Sequence, residues 1–153
     1  MCAKLKKTGK GAVVPKEPLS DNDLHKLYSS LDLETPTGLQ NKVFLDYMLY
    51  FCNRGREHLR DIKHTYVGVR RNTDGALYVY WSSDFAKKNH KIDDAKAQGG
   101  RMYETKYMLC PVRSSSLYMS KIHKNIPEFL QRPKISFDKE SIWYKQSPVG
   151  KTH

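Results

Sequence analysis

Between Thr35 and Phe51 the chain reads as a helix with apolar residues on more than one side. Thr35 stands as its N-cap, and Pro36 takes the first helical position, where a missing N–H costs nothing and φ is already set. Leu39, Val43, Tyr47 and Tyr50 make one stripe, and Phe44, Met48 and Phe51 make the adjacent one. A surface helix needs a single stripe; two adjoining stripes give a wide face that must be covered on both flanks. The expectation is therefore a helix at the centre of a core, with the remaining segments packed around it.

Those segments are short. Ser20 with Asp23 is an N-cap pair, and Leu24, Leu27, Tyr28 and Leu31 follow at helical spacing, a short amphipathic helix. Tyr66 to Arg71 and Ala76 to Trp81 read as two strands joined at Asn72-Thr73-Asp74-Gly75, a hairpin. Met102 to Tyr107 is a candidate third strand. Cys110-Pro111 opens a helix from Val112 to Ile122, with Val112, Met119 and Ile122 on one face. Beyond it, Phe129-Leu130 and Ile142-Trp143-Tyr144 are apolar anchors in an otherwise loop-rich tail. Helices, then a small antiparallel sheet, then a helix make an α+β fold, mostly helical with a sheet of two to three strands. Residues 1–18, rich in Lys, Gly and Pro, read as a disordered basic tail, and residues 19–153 as one domain.

The formal charge is +11, and its placement matters more than its sum. Residues 1–18 carry a net +4 and residues 101–153 a net +6, while residues 19–100 are close to balance. An anionic polymer such as DNA is the partner this distribution favours, and ten tyrosines offer surfaces on which bases stack. No apolar run approaches the ~20 residues that span a bilayer, so no membrane role is expected. Cys2, Cys52 and Cys110 are too far apart for a disulfide framework or a zinc knuckle. The six histidines are scattered; no metal or other cofactor is expected. No nucleophile elbow, P-loop or dinucleotide-binding glycine pattern occurs.

Two basic clusters stand out. Arg54 and Arg56 flank Gly55 at the end of the central helix. A guanidinium there is a planar fork suited to phosphate; equally, Gly55 is a helix C-cap with basic residues favouring the dipole. Lys87, Lys88 and Lys91 lie in the polar stretch 82–100, a long loop beside the hairpin. They read either as a solvated charge run or as point charges reaching toward phosphate.

At this point the chain resembles a known family. Arg54-Gly55-Arg56-Glu57-His58 after an apolar helix is similar to the first-arginine box of tyrosine recombinases, in the version of the Crypton-derived domain of zinc finger MYM-type and glutamine-rich proteins. Lys88-Asn89-His90, Gly99-Gly100-Arg101-Met102-Tyr103, Cys110-Pro111-Val112 with Leu117-Tyr118-Met119-Ser120-Lys121, Leu130-Gln131-Arg132-Pro133, and Ile142-Trp143-Tyr144 through Pro148-Val149-Gly150-Lys151 follow in the family's order. Together they cover about residues 19–152. The resemblance implies the first half of a recombinase catalytic domain, DNA recombination and integration chemistry, and, with the basic charge, a nuclear location, the alternative being a cytoplasmic one. In that chemistry a tyrosine attacks a DNA phosphodiester while arginines and a histidine stabilise the charge and a hairpin lysine protonates the leaving oxygen. Arg54 matches the first arginine, with Arg56 the other candidate; Lys88 is the best match to the lysine, with Lys87 and Lys91 beside it.

The departures are as informative. The family's second box, His-x-x-Arg, occurs nowhere in the sequence, and the chain stops at His153, about where the pattern would continue toward that box and the nucleophilic tyrosine. No tyrosine lies beyond Tyr144. The expectation is a truncated, transposon-derived domain without catalysis, binding DNA non-specifically through Arg54, Arg56, Lys87, Lys88 and Lys91. The alternative is a protein-interaction module that keeps the fold as a scaffold and presents the tail aromatics Trp143 and Tyr144 to a partner.

Overall fold

The computed structural model describes residues 17–51, 62–82 and 100–150. The elements are α1 (Asp21–Ser29), α2 (Pro36–Tyr50), a 3₁₀ turn at His64–Tyr66, β1 (Val67–Arg71), β2 (Leu77–Trp81), β3 (Arg101–Tyr103), α3 (Pro111–Lys121), β4 (Gln131–Pro133) and β5 (Tyr144–Pro148). The strands form an antiparallel sheet in the order β1-β2-β3 and a separate antiparallel pair, β4-β5. The fold is α+β, as the element order implied.

Local chemistry fixes where the helices begin. Ser20 and Asp23 close a reciprocal capping box on α1. The Thr35 hydroxyl accepts from the Gly38 N–H at the start of α2, with Pro36 in its first turn. The hairpin turns at Gly75, whose φ of 87° is a conformation that side chains other than glycine rarely adopt.

Helix α2 is central. Leu39, Val43 and Tyr47 are fully or almost fully buried, and Phe44, Met48 and Phe51 pack against the same core. Tyr50 departs from the expected stripe and is 46% exposed, because it sits on the last turn, past the helix's covered flank. The inner face of the first sheet, with Val67, Val79, Trp81 and Met102, closes one side of the core. Val112, Tyr118 and Ile122 close another from α3. Tyr47 is the hub: its ring lies 5.2 Å from Trp81 and 5.3 Å from both Phe51 and Phe129. Edge-to-face and tilted contacts of this kind add to what area burial alone contributes.

Helix α1 forms where the capping pair and the helical spacing predicted it; it buries none of its residues, with Leu27 40% exposed, so it rests on the molecule rather than in it. Its deepest tie is the Tyr28 hydroxyl, which donates to Asp46 Oδ1 at 2.8 Å. Strand β3 ends at Tyr103, well short of Tyr107. There Glu104 takes both edge groups of Leu77, its N–H donating to the Leu77 carbonyl at 2.8 Å and its carboxylate accepting the Leu77 N–H at 2.7 Å. Since β2 starts at Leu77, no partner remains for a longer strand. The tail is mostly loop, as expected, but it carries two strands the sequence did not suggest: β4 and β5 pair in it, and buried Gln131 anchors β4 by bonding both the N–H and the carbonyl of His123. Finally, Trp143 and Tyr144 are 4% and 0% exposed. The Trp143 main-chain N–H donates to the Lys121 carbonyl and its indole N–H to the Asp138 carbonyl at 3.1 Å, and the Tyr144 hydroxyl donates to the Pro36 carbonyl at 2.7 Å, which holds both rings inward. They offer no docking surface.

Candidate nucleic-acid interface

Arg54, Arg56, Lys87, Lys88 and Lys91 lie outside the described residues. The residues from which their segments depart are described, and those meet. Phe51, the last residue before the arginine segment, stacks on Trp81 with ring centroids 5.0 Å apart. Trp81 and Ser82 lead into the lysine segment, and Gly100 receives the chain after it. A Cβ on Gly100 would stand 3.1 Å from the Phe51 ring and 3.3 Å from the Tyr50 carbonyl. Glycine therefore allows the returning strand to pass directly over the C-terminal end of α2. Both cationic segments are rooted at this one corner, in a cluster of Phe51, Trp81 and Gly100.

A second surface was not anticipated. The register pairs Gly68 with Tyr80, Arg70 with Tyr78, Tyr78 with Tyr103, and Tyr80 with Arg101. Successive side chains of a strand alternate between faces, so these residues share the face opposite Val79 and Met102. Tyr78 is the centre, its ring 5.5 Å from Tyr103 and 6.1 Å from Tyr80. The guanidinium groups lie on the diagonals: Arg70 over Tyr80 at 4.6 Å and Arg101 over Tyr78 at 4.9 Å. Hydrogen bonding to the Tyr103 hydroxyl, with Tyr78 nearby, holds the Arg101 guanidinium above its ordinary range. Gly68 makes the arrangement fit, because a Cβ there would fall 2.5 Å from the Tyr80 ring. The signal was present in the sequence as the alternation Tyr78-Val79-Tyr80-Trp81, but the pattern alone does not say which side faces solvent.

The described tyrosines in the core are poor nucleophiles. Burial raises the Tyr118 and Tyr144 hydroxyls well above the ordinary range, and each donates to a main-chain carbonyl, Tyr118 to Phe129 at 2.8 Å and Tyr144 to Pro36. Burial pushes the Cys110 thiol up, but N–H groups of Thr105, Arg113 and Val112 outweigh it, and the net shift is downward. That thiol is 3% exposed and closed to reagents. Lys42 and Asp46 form an ion pair inside the protein, with Tyr28 on the other carboxylate oxygen. Among the described residues no group of His, Cys, Asp and Glu is placed to hold a metal ion. None of the helices described is long and apolar enough to cross a membrane. Comparison with protein-family models, with curated proteins and with solved structures finds no match for this chain.

Proposed function

We propose that these 153 residues form a recombinase-like domain that binds duplex DNA without cleaving it, gripping phosphates through Arg54, Arg56, Lys87, Lys88 and Lys91. The observation that supports this is the common root of the two cationic segments at Phe51, Trp81 and Gly100. Arg54 lies three residues beyond Phe51, within about 11 Å of chain, and Lys88 six residues beyond Ser82, within about 22 Å. Both reaches start from the same corner, so one phosphate backbone is within range of both clusters. The charge of +11 supplies the long-range attraction. Chemistry is not proposed, because the sequence contains no His-x-x-Arg to complete the charge on a pentacoordinate phosphorus, and loss of even one such donor costs ~10²–10³ in rate. The resemblance to transposon-derived domains would put the DNA, and this chain, in the nucleus.

The test is a gel-shift series on duplexes of unrelated sequence at rising salt. Affinity should be indifferent to sequence and fall with a log–log slope of about −0.9 per phosphate engaged. Arg54→Ala should weaken binding to every duplex alike and reduce the slope by about 1. Absence of binding at low salt would defeat the proposal. So would an Arg54→Ala chain that binds normally but melts at a much lower temperature, since Arg54 would then be structural.

A further inference from the structure

We infer that the outer face of the β1-β2-β3 sheet is a stacking platform for the unpaired bases of single-stranded nucleic acid. Sheet stability alone explains part of this face, because cross-strand aromatic pairs and cation–π contacts hold strands together. It does not require the rest. Tyr103 is 40% exposed and Arg70 and Arg101 are exposed, while Tyr78 and Tyr80 are half-buried beneath the two guanidinium groups. None of the six outward positions, Gly68, Arg70, Tyr78, Tyr80, Arg101 and Tyr103, is acidic. The face is thus aromatic and cationic at once, the combination that binds bases by stacking and the backbone by charge.

Geometry favours single strands over duplexes. Tyr103, 40% exposed, offers its ring directly, while Arg70 and Arg101 lie over the Tyr80 and Tyr78 rings; stacking groups of this kind suit unpaired bases, since the bases of a duplex are already stacked and face inward. Guanidinium planes also stack on bases, so Arg70 above Tyr80 and Arg101 above Tyr78 form the outer layer of the platform at those two rings. A small sheet with two or three surface aromatics is enough to hold two or three bases. Gly68 keeps the Tyr80 ring low against the sheet, where a side chain would lift it away from the common surface. This inference is independent of the duplex reading: it uses described residues on the sheet, none of them Arg54 or a lysine of the 82–100 segment.

The experiment compares a labelled oligothymidine with an abasic strand of the same length and charge, by fluorescence anisotropy on the full chain. The oligothymidine should bind tighter, by roughly 5- to 150-fold for each base stacked. Tyr78→Leu with Tyr103→Leu should remove that advantage and leave the abasic strand's affinity unchanged; Tyr78→Phe with Tyr103→Phe should keep it. A ribothymidine strand of the same length, which differs from the deoxy strand only in its 2′-hydroxyls, identifies the preferred sugar, and an advantage of either strand over the abasic one supports the platform. Equal affinity of the unsubstituted chain for the thymidine and abasic strands overturns the inference, whether or not the leucine variant folds. Retention of the full advantage in a folded leucine variant overturns it too. Duplex affinity reports on the Arg54 proposal separately, so either reading can fail alone.

Discussion

Lys42 and Asp46 are the least expected residues of the core. They sit one turn apart on α2, a spacing that on most helices marks a solvent-exposed pair. Here both are about 1% exposed, and the pair is closed by Tyr28, whose hydroxyl donates to Asp46 and whose ring lies 5.1 Å from the Lys42 ammonium. Burial raises the Asp46 carboxyl above its ordinary range, against Lys42 and Tyr28, which lower it. The folded value thus lies above the unfolded one. The stability tied to this group is complete at pH below about 4 and is lost as pH rises through the folded value. Lys42→Met removes the main lowering influence and leaves a buried carboxyl without its cation, which near neutral pH should cost about 3–5 kcal/mol. Urea midpoints measured from about pH 4 to about pH 8 should show the deficit widening as the carboxyl is forced to ionise. Adding Asp46→Asn should recover part of the loss and flatten the pH dependence. A Lys42→Met deficit that is constant across this range would mean the ammonium acts through packing rather than charge.

At the scale of elements, the start of α2 carries a constraint that composition hides. Glycine in a helix ordinarily costs up to ~1 kcal/mol relative to alanine, so Gly38→Ala would be expected to stabilise. A Cβ at this position would instead fall 1.8 Å from the Asp32 carbonyl oxygen and 2.9 Å from the Thr35 hydroxyl. That carbonyl accepts from the Thr35 hydroxyl, which in turn caps Gly38, so the added methyl must push apart the turn that starts the helix. Gly38→Ala should destabilise by about 1–3 kcal/mol, seen as a lower thermal midpoint, and a variant as stable as the parent would refute the close approach. The contrast between these features and the legible ones is instructive. Ser20 with Asp23, Thr35 with Pro36, and Asn72 to Gly75 act through neighbours in sequence, and each could be read directly. Gly38, Gln131 and Asp46 act through Asp32, His123 and Tyr28, partners whose nearness the fold itself creates. Strand β4 is three residues ending in a proline, too short and too polar to show a period. Of the candidate sites, the two basic clusters were legible as charge but fall outside the described residues. The tyrosine–arginine face became recognisable only once register placed Arg70 and Arg101 across from the Tyr78-Tyr80 strand.

For the whole molecule, the decisive contacts join its beginning to its end. The Tyr144 hydroxyl bonds the carbonyl of Pro36, and its ring lies 4.9 Å from Tyr118 on α3. Tyr118 in turn accepts from Gln40 of α2, whose amide also donates to the Gln131 carbonyl in β4. The 131–148 segment is therefore part of the same buried network as the central helix, and α2 is not complete without it. A chain shortened to end at Glu140 would lose Trp143 and Tyr144, and removing a large buried aromatic costs about 3–5 kcal/mol. Two such losses are comparable to the whole stability of a domain, about 5–15 kcal/mol. The shortened chain should show no cooperative thermal transition by near-ultraviolet circular dichroism. Deleting the segment through Ser30 should behave differently, because α1 buries nothing and contributes mainly the Tyr28 bond to Asp46. That chain should still unfold in one cooperative step at a lower midpoint. If the 140-residue chain melted cooperatively and the α1 deletion did not, the core would have to be organised from the N-terminal side. The Tyr144–Pro36 closure would then be an accessory contact, and not the one that ties the β4-β5 pair and α3 to the central helix.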